Sequence, residues 1–197
     1  MKVGVLALQG DVPEHLRALG KVVRGASVRP VRTPTDLADT DVLFLPGGES
    51  TTIARLIQDA GLWEPLARRL DQGFPVLATC AGLILLAREL APGSSGRDPP
   101  TFGAVDVRLR RNDYGAQRES FEAPVRVPGL PGRPFPGVFI RAPRILEVGP
   151  KARAFAWWKE EVVGVRSGPV WGTTFHPELS DDLRLHRWFL QTTVGVR

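Results

Sequence analysis

The sequence predicts an α/β fold built on a mostly parallel sheet, and three observations carry that reading. Val3–Leu8, Val42–Leu45 and Val76–Thr79 are short, nearly unbroken apolar runs. That is the pattern of strands buried on both faces, not the alternation of a half-exposed strand. The intervening segments repeat their apolar residues at helical spacing, most clearly Val12, Leu16, Leu19 and Val23. The runs also end at turn-forming residues, such as Pro46-Gly47-Gly48. Strands alternating with helices at this spacing give a parallel sheet flanked by helices.

The remaining elements follow in order. Val28–Val31 reads as a weak strand. Thr51–Ile57 reads as a helix punctuated by Gly61, and Pro65–Leu70 as another with proline near its first turn. Leu83–Leu90 is expected to be a helix, stopped by Ala91-Pro92-Gly93. Residues 92–103 are a loop rich in Pro, Gly and Ser. Val105, Val107 and Leu109 then alternate with charged residues, as in a half-exposed strand. Val125–Val127 and Gly137–Ile140 suggest short antiparallel or mixed strands, and Val162–Val165 and Val170–Phe175 close the sheet. Ser180 is expected to cap a last helix running to Thr193, with Leu185, Trp188 and Phe189 turned inward.

Composition narrows the function. A chain of 197 residues, 43% hydrophobic and 24% charged, fits one globular domain over residues 1–197. A single cysteine excludes an intrachain disulfide framework and any zinc or iron–sulfur site built from several thiolates. No metal or cofactor is expected. The first apolar run breaks at Gln9-Gly10-Asp11 without a cleavage pattern, which reads as a strand and not a signal peptide. No apolar run approaches the roughly 20 residues of a membrane span, so a cytoplasmic protein is expected. The formal charge is +5, but the basic residues are scattered and alternate with acids. Nucleic-acid binding is therefore not expected; a basic face toward an acidic protein partner fits better.

The lone cysteine, Cys80, follows the strand Val76–Thr79 and precedes Ala81-Gly82 and a helix. A nucleophile on such a strand-to-helix turn is pushed out above the carboxyl edge of the sheet. Small neighbours leave room for the turn, the helix start favours a thiolate, and the Ala81 N–H can receive an oxyanion. A buried structural thiol accounts for this stretch alone equally well.

Thr174–Leu179 adds weight to the catalytic reading. Residues two apart in extended chain share a side, so Glu178 can hold one imidazole nitrogen of His176. A base oriented by an acid at the carboxyl end of a strand is what a cysteine nucleophile needs. Of the other two histidines, His186 reads as a solvated helix position, and His15 is left open because its helix starts at the edge of the first strand. The loop Leu45–Thr52 places Gly47 and Gly48 after a strong strand. It lacks the lysine and the spacing of a Walker A loop. Beside a cysteine nucleophile its better use is as a second oxyanion donor and a substrate contact.

These residues resemble a known family. T-C-A-G around Cys80, P-G-G-E-S-T-T from Pro46 and F-H-P-E-L from Phe175 look like the class I, triad-type glutamine amidotransferases. LALQGDVPEH near the start, RNDYGAQRESFE from Arg111 to Glu122 and FIRAPRI from Phe139 to Ile145 are similar to the glutaminase subunits of pyridoxal 5′-phosphate synthase. The matching stretches run in order along nearly the whole chain. The resemblance implies a single-domain, three-layer, flavodoxin-like sandwich with a mostly parallel central sheet. It implies that Cys80, His176 and Glu178 hydrolyse L-glutamine to glutamate and ammonia through a thioester. Gly47, Gly48 and Ala81 would form the oxyanion site, and Gly48, Glu49, Ser50, Arg111, Ile140 and Arg141 would contact substrate. Ammonia would pass to a separate (β/α)₈-barrel synthase subunit that makes pyridoxal 5′-phosphate. Gln9, Gly10 and His15 would lie on the docking face.

Three positions depart from the family pattern: Ala78 where glycine is usual, Ala116 where arginine is usual, and Arg144 where histidine is usual. They bear on affinity and coupling and not on reaction type: either the lost arginine weakens a substrate or interface contact, or Arg118 substitutes for it. The competing readings are a class I glutaminase serving a different synthase, a non-catalytic regulatory module on the same fold, and a cysteine peptidase or DJ-1-like protein. A regulatory module would be marked by loss of Cys80, His176 or Glu178, and all three are present; a peptidase or DJ-1-like protein would need neither the His176–Glu178 pair nor a glutamine pocket.

Overall fold

A computed structural model describes residues 1–23, 25, 27–92, 98–111 and 120–195. Its central sheet has seven strands. In chain order these are β1 (Lys2–Leu6), β2 (Ser27–Val31), β3 (Val42–Leu45), β4 (Val76–Thr79), β10 (Arg153–Trp158), β11 (Glu161–Ser167) and β12 (Val170–Thr173). They lie in the order β10-β11-β12-β4-β3-β1-β2. The pairs from β2 to β12 are parallel, and β10 and β11 add an antiparallel edge. Two small sheets complete the strands: β5 (Ala87–Leu90), β6 (Val105–Arg110) and β9 (Arg144–Val148) in one, and β7 (Ser120–Val125) with β8 (Phe135–Ile140) in the other.

The helices are α1 (Val12–Val22), α2 (Pro34–Ala38), α3 (Ser50–Asp59), α4 (Trp63–Asp71), α5 (Ala81–Leu86) and α6 (Arg184–Val194). Two apolar clusters form because alternate strand residues face opposite ways. Leu43 and Leu45 of β3 pack with Ile53, Leu66 and Leu83, while Val42 and Phe44 pack with Leu19, Trp171 and Phe189. All of β3 and β4 is buried, as unbroken apolar runs require.

The predicted parallel α/β fold is present, with local differences. The helix expected over Leu83–Leu90 ends at Leu86, and Ala87–Leu90 is a strand beside β6. Apolar spacing in LILLAREL does not separate a helix from a strand. The strand is held by Arg88 paired with Asp106 and Glu147, and by Glu89 paired with Arg108. The strand expected at 125–127 falls earlier, at Ser120–Val125, and Arg126 keeps only an isolated bridge to Trp157. Ser180 does not cap α6; its hydroxyl donates to the Pro177 carbonyl, and the Asp182 carboxylate accepts from Arg184 N–H where the helix begins. Helix α2 was unread, although Thr33 and Asp36 form a reciprocal capping box around Pro34. Among the described residues, no helix is long and apolar enough to cross a membrane.

The fold places four loops together. The carboxyl ends of β1, β3, β4 and β12 are neighbours, and from them emerge Gln9–Asp11, Pro46–Glu49, Cys80 and His176. An open parallel sheet binds its ligands at this edge.

Candidate active site

Cys80 sits at φ 48°, ψ −101°, a strained conformation for a residue with a side chain. The strain is fixed from both sides: the Cys80 N–H donates to the Thr173 carbonyl at 2.8 Å, and its carbonyl accepts from Ile84 N–H at 3.1 Å. Gly82 is needed because a Cβ there would collide with the backbone of Leu45 and Pro46. Gly82→Ala is therefore expected to cost about 1–3 kcal/mol, read as a fall in Tm. An unchanged Tm would show that β3 can move away without loss.

Cys80 is 6% exposed, and its thiol points toward the Ile140 carbonyl at 3.9 Å. It lines one cavity of about 240 Å³ together with Gln9, Gly48, Glu49, Ser50, Arg111, Ile140, Arg141 and His176. The cavity thus gathers every substrate contact that the resemblance implied. Arg111 is nearly buried, with its guanidinium 3.6 Å from Glu49 and 3.3 Å from Asp98. Glu49 caps α3 by accepting from Thr52 N–H at 2.7 Å. Burial opposes its ionisation, but the Thr52 hydrogen bonds and Arg111 outweigh this and lower its pKa. A cation and a carboxylate thus face the same cavity. Arg141, at φ 41°, is a second strained residue there.

His176 and Glu178 meet as expected, with Nδ1 to Oε1 at 2.7 Å. They meet by a different route: His176 is extended, but Pro177–Leu179 forms a 3₁₀ turn that brings the carboxylate round. Thr79 Oγ1 donates to the other oxygen at 3.4 Å. Asp11, which sequence reasoning missed, also faces Nδ1, at 3.1 Å. Nothing local in the sequence joins Asp11 to His176; the sheet order does. Two carboxylates on one nitrogen require Nδ1 to carry the proton. Asp11, His176 and Glu178 hold atoms of metal-ligand type within 4.8 Å of one another. A cation there would have to displace that shared proton.

Burial pushes the His176 pKa down, but hydrogen bonds with Asp11, Cys80 and Glu178 prevail and raise it to about 12. Burial pushes Glu178 up, yet its attraction to His15 and His176 lowers it to about 2. The raised His176 stabilises the fold below its ordinary value of 6.5, and that contribution is lost as pH climbs toward about 12. The lowered Glu178 stabilises above its ordinary 4.5, and that contribution is lost as pH falls toward about 2. Both describe one ion pair, intact across the neutral range. Thermal denaturation is expected to show Tm falling below about pH 4.5 more steeply in the native chain than in Glu178→Gln. Parallel curves would contradict the pairing.

The glycine loop packs against this pair. A Cβ on Gly47 would strike the His176 ring, and Gly48 has φ 148°. The Gly47 carbonyl accepts from Asp11 N–H at 3.3 Å, and Glu49 N–H donates to Gln9 Oε1 at 2.9 Å. The loop after β1 therefore holds the loop after β3 by its backbone. Gln9 and Gly10 are half-exposed at this edge.

His15 must be removed from the expected docking face. It is 0% exposed, lying inside α1 against Glu178 with Nε2 3.6 Å from Oε1. The helix packs its inner side on the Pro177–Leu179 turn, which leaves His15 no route to the surface. His186 is also 0% exposed, against the expected solvated position, because it stacks on Phe44 at 5.9 Å. Ala78 is fully buried in β4, and Arg144 pairs with Glu161 at 3.0 Å. Ala116, Arg118 and the rest of 112–119 lie outside the described residues.

A thiol on a strained elbow beside an imidazole held by a carboxylate places the chain among α/β proteins that carry a cysteine nucleophile motif at the carboxyl edge of the sheet. The chain belongs to the SNO glutamine amidotransferase family, whose model matches residues 5–195. It is 51% identical to the pyridoxal 5′-phosphate synthase subunit PdxT of Streptomyces coelicolor, over 95% of this chain and 91% of that one. It is 46% identical to the subunit of the same name from Pyrococcus furiosus, over 98% and 100%. A crystal structure of a glutamine amidotransferase superposes with a TM-score of 0.89 at 40% identity, covering 98% of each chain. The PurLQS structure from Thermotoga maritima shares the fold, with a TM-score of 0.68 at 15% identity over 98% of this chain and 97% of that one.

Proposed function

We propose that this protein hydrolyses L-glutamine to glutamate and ammonia and delivers the ammonia to a pyridoxal 5′-phosphate synthase. The observation that carries the proposal is the shared cavity: Cys80 and His176 open into the same space as Arg111 and Glu49. Glutamine carries an α-carboxylate and an α-ammonium, which Arg111 and Glu49 complement. Its carboxamide then lies at the thiol.

The reaction follows from the proton positions. The Cys80 proton rests on His176, whose raised pKa holds it, while Glu178 fixes the ring. The thiolate attacks the carboxamide carbon, and the carbonyl pair moves onto oxygen. Backbone N–H groups of Ala81 and the Gly47-Gly48 loop receive that oxyanion. As the tetrahedral centre collapses, the C–N bond breaks, His176 protonates the nitrogen, and ammonia leaves. Water then attacks the thioester, giving a proton to His176; the C–S bond breaks, glutamate departs, and the thiolate–imidazolium pair is restored.

We place the partner, a (β/α)₈-barrel synthase subunit, at the carboxyl edge near Gln9 and Gly10. The relatives' shared name supports such a partner. The bonds from Gln9 and Asp11 to the glycine loop support the location, because a subunit pressing there would act on the oxyanion loop directly. The free thiol suits a reducing cytoplasm.

The test is release of glutamate from L-glutamine by the purified chain, alone and with the synthase subunit. Release that rises strongly with that subunit supports both reaction and partner. Equal release in both mixtures would reassign the pathway, and none in either would refute the enzyme. Glu178→Gln is expected to be roughly a hundredfold milder than loss of His176, since it removes orientation and not proton transfer. An equal loss of kcat would contradict that division of roles.

A further inference from the structure

Two buried imidazoles stand behind the site and take no part in the reaction above. His15 and His186 are both 0% exposed, and among the described residues none of their four ring nitrogens has a hydrogen-bond partner. Leaving such groups unpaired in a core is unfavourable and calls for an explanation. They form a file with the reacting groups. The His186 ring lies 6.4 Å from that of His15, edge on; His15 Nε2 lies 3.6 Å from Glu178 Oε1; Glu178 holds His176 at 2.7 Å.

We propose that His15 is a positioning residue, a neutral imidazole that steadies the Glu178 carboxylate from behind and so keeps His176 oriented toward Cys80. Glu178 is a fully buried charge whose Oε1 already serves His176. A cation behind it would compete for that oxygen, and an apolar residue would leave the charge poorly solvated. A neutral ring with its N–H turned to the carboxylate stabilises the charge without neutralising it. Burial keeps His15 neutral against the pull of Glu178, Asp11 and Glu14, and His176 opposes its protonation as well. His186, beside Arg187 on α6, is itself held neutral by burial and by His15, with a pKa of about 4. Phe44 closes the pocket between the two rings.

The role rests on the reading of Cys80, His176 and Glu178 as one reacting unit, so its test uses a probe other than glutamine. Cys80 is the only thiol in the chain, and its alkylation by iodoacetamide, followed against pH, reports how far His176 supports the thiolate. Three variants are compared with the native chain. His15→Gln keeps a donor long enough to reach Oε1, His15→Asn keeps a donor that stops short, and His15→Met keeps volume without a donor. Without the donor Glu178 takes up a proton at higher pH, and the imidazolium loses its partner. The acid limb of the alkylation profile is expected to move up by about one pH unit in His15→Met and His15→Asn. His15→Gln is expected to keep the native profile. An unmoved limb in both donor-less variants would overturn the proposal, as would an equal shift in all three, which would mean that His15 only fills space. If His15→Met does not fold, the Gln–Asn pair still decides. A chain that alkylates as expected but releases no glutamate would refute the glutaminase reading and leave the role of His15 standing.

Discussion

Replacing Cys80 by alanine is expected to lower glutamine hydrolysis by roughly 10⁶-fold, to the level that binding and oxyanion donors give alone. The fold is expected to survive. Alanine keeps the Cβ and therefore the same backbone strain at φ 48°. The thiol contacts the Ile140 carbonyl at 3.9 Å and hydrogen-bonds with His176, neither of which is a packing contact of the core, so its loss removes little packing. The backbone bonds to Thr173 and Ile84 that fix the elbow do not involve the side chain. Steady-state glutamate release with the synthase subunit, beside a thermal melt, measures both. Residual turnover within tenfold of native would remove Cys80 from the chemistry.

His176→Asn is the second large effect, expected to slow hydrolysis by roughly 10⁴-fold or more, because no base remains to take the thiol proton or return one to nitrogen. Unlike Cys80→Ala, it should also destabilise the fold. Glu178 has 0% side-chain exposure and would lose its main charged partner. Breaking such a pair costs about 3–5 kcal/mol. The double variant His176→Asn with Glu178→Gln removes both charges and should recover much of that stability while staying inactive. Thermal melts of the single and double variants, with glutamate release, separate the two roles. A double variant no more stable than His176→Asn would show that the pair's charge is not what the core must satisfy.

What the sequence made legible was the part whose physics is local. Unbroken apolar runs marked β1, β3 and β4, and the small residues around Cys80 marked the elbow. His176 and Glu178 are two apart, so their meeting was readable even though a 3₁₀ turn, and not an extended strand, achieves it. The family resemblance pointed to Arg111, Ile140 and Arg141, and all three line the cavity beside Cys80. Contacts between distant loops were not readable. Asp11 reaches His176, and Gln9 reaches Glu49, only because the sheet order β12-β4-β3-β1 gathers their loops at one edge. From the sequence, His186 reads as a solvated helix position and His15 as part of a docking face, because helical spacing shows which face a residue takes, not whether another element covers it. The edge strands β5 and β9 are short and charged, and ion pairs such as Arg88 with Asp106 and Glu147 hold them in place.

The central claim is that Cys80 carries the acyl group of glutamine. The most direct measurement is peptide mass analysis of the chain after acid quench during turnover of L-glutamine with the synthase subunit present. One γ-glutamyl group on the peptide containing Cys80 is expected, absent in Cys80→Ala and accumulating when thioester hydrolysis is slowed. Turnover of glutamine with Cys80 unmodified at every quench time, and undiminished in Cys80→Ala, would contradict the account.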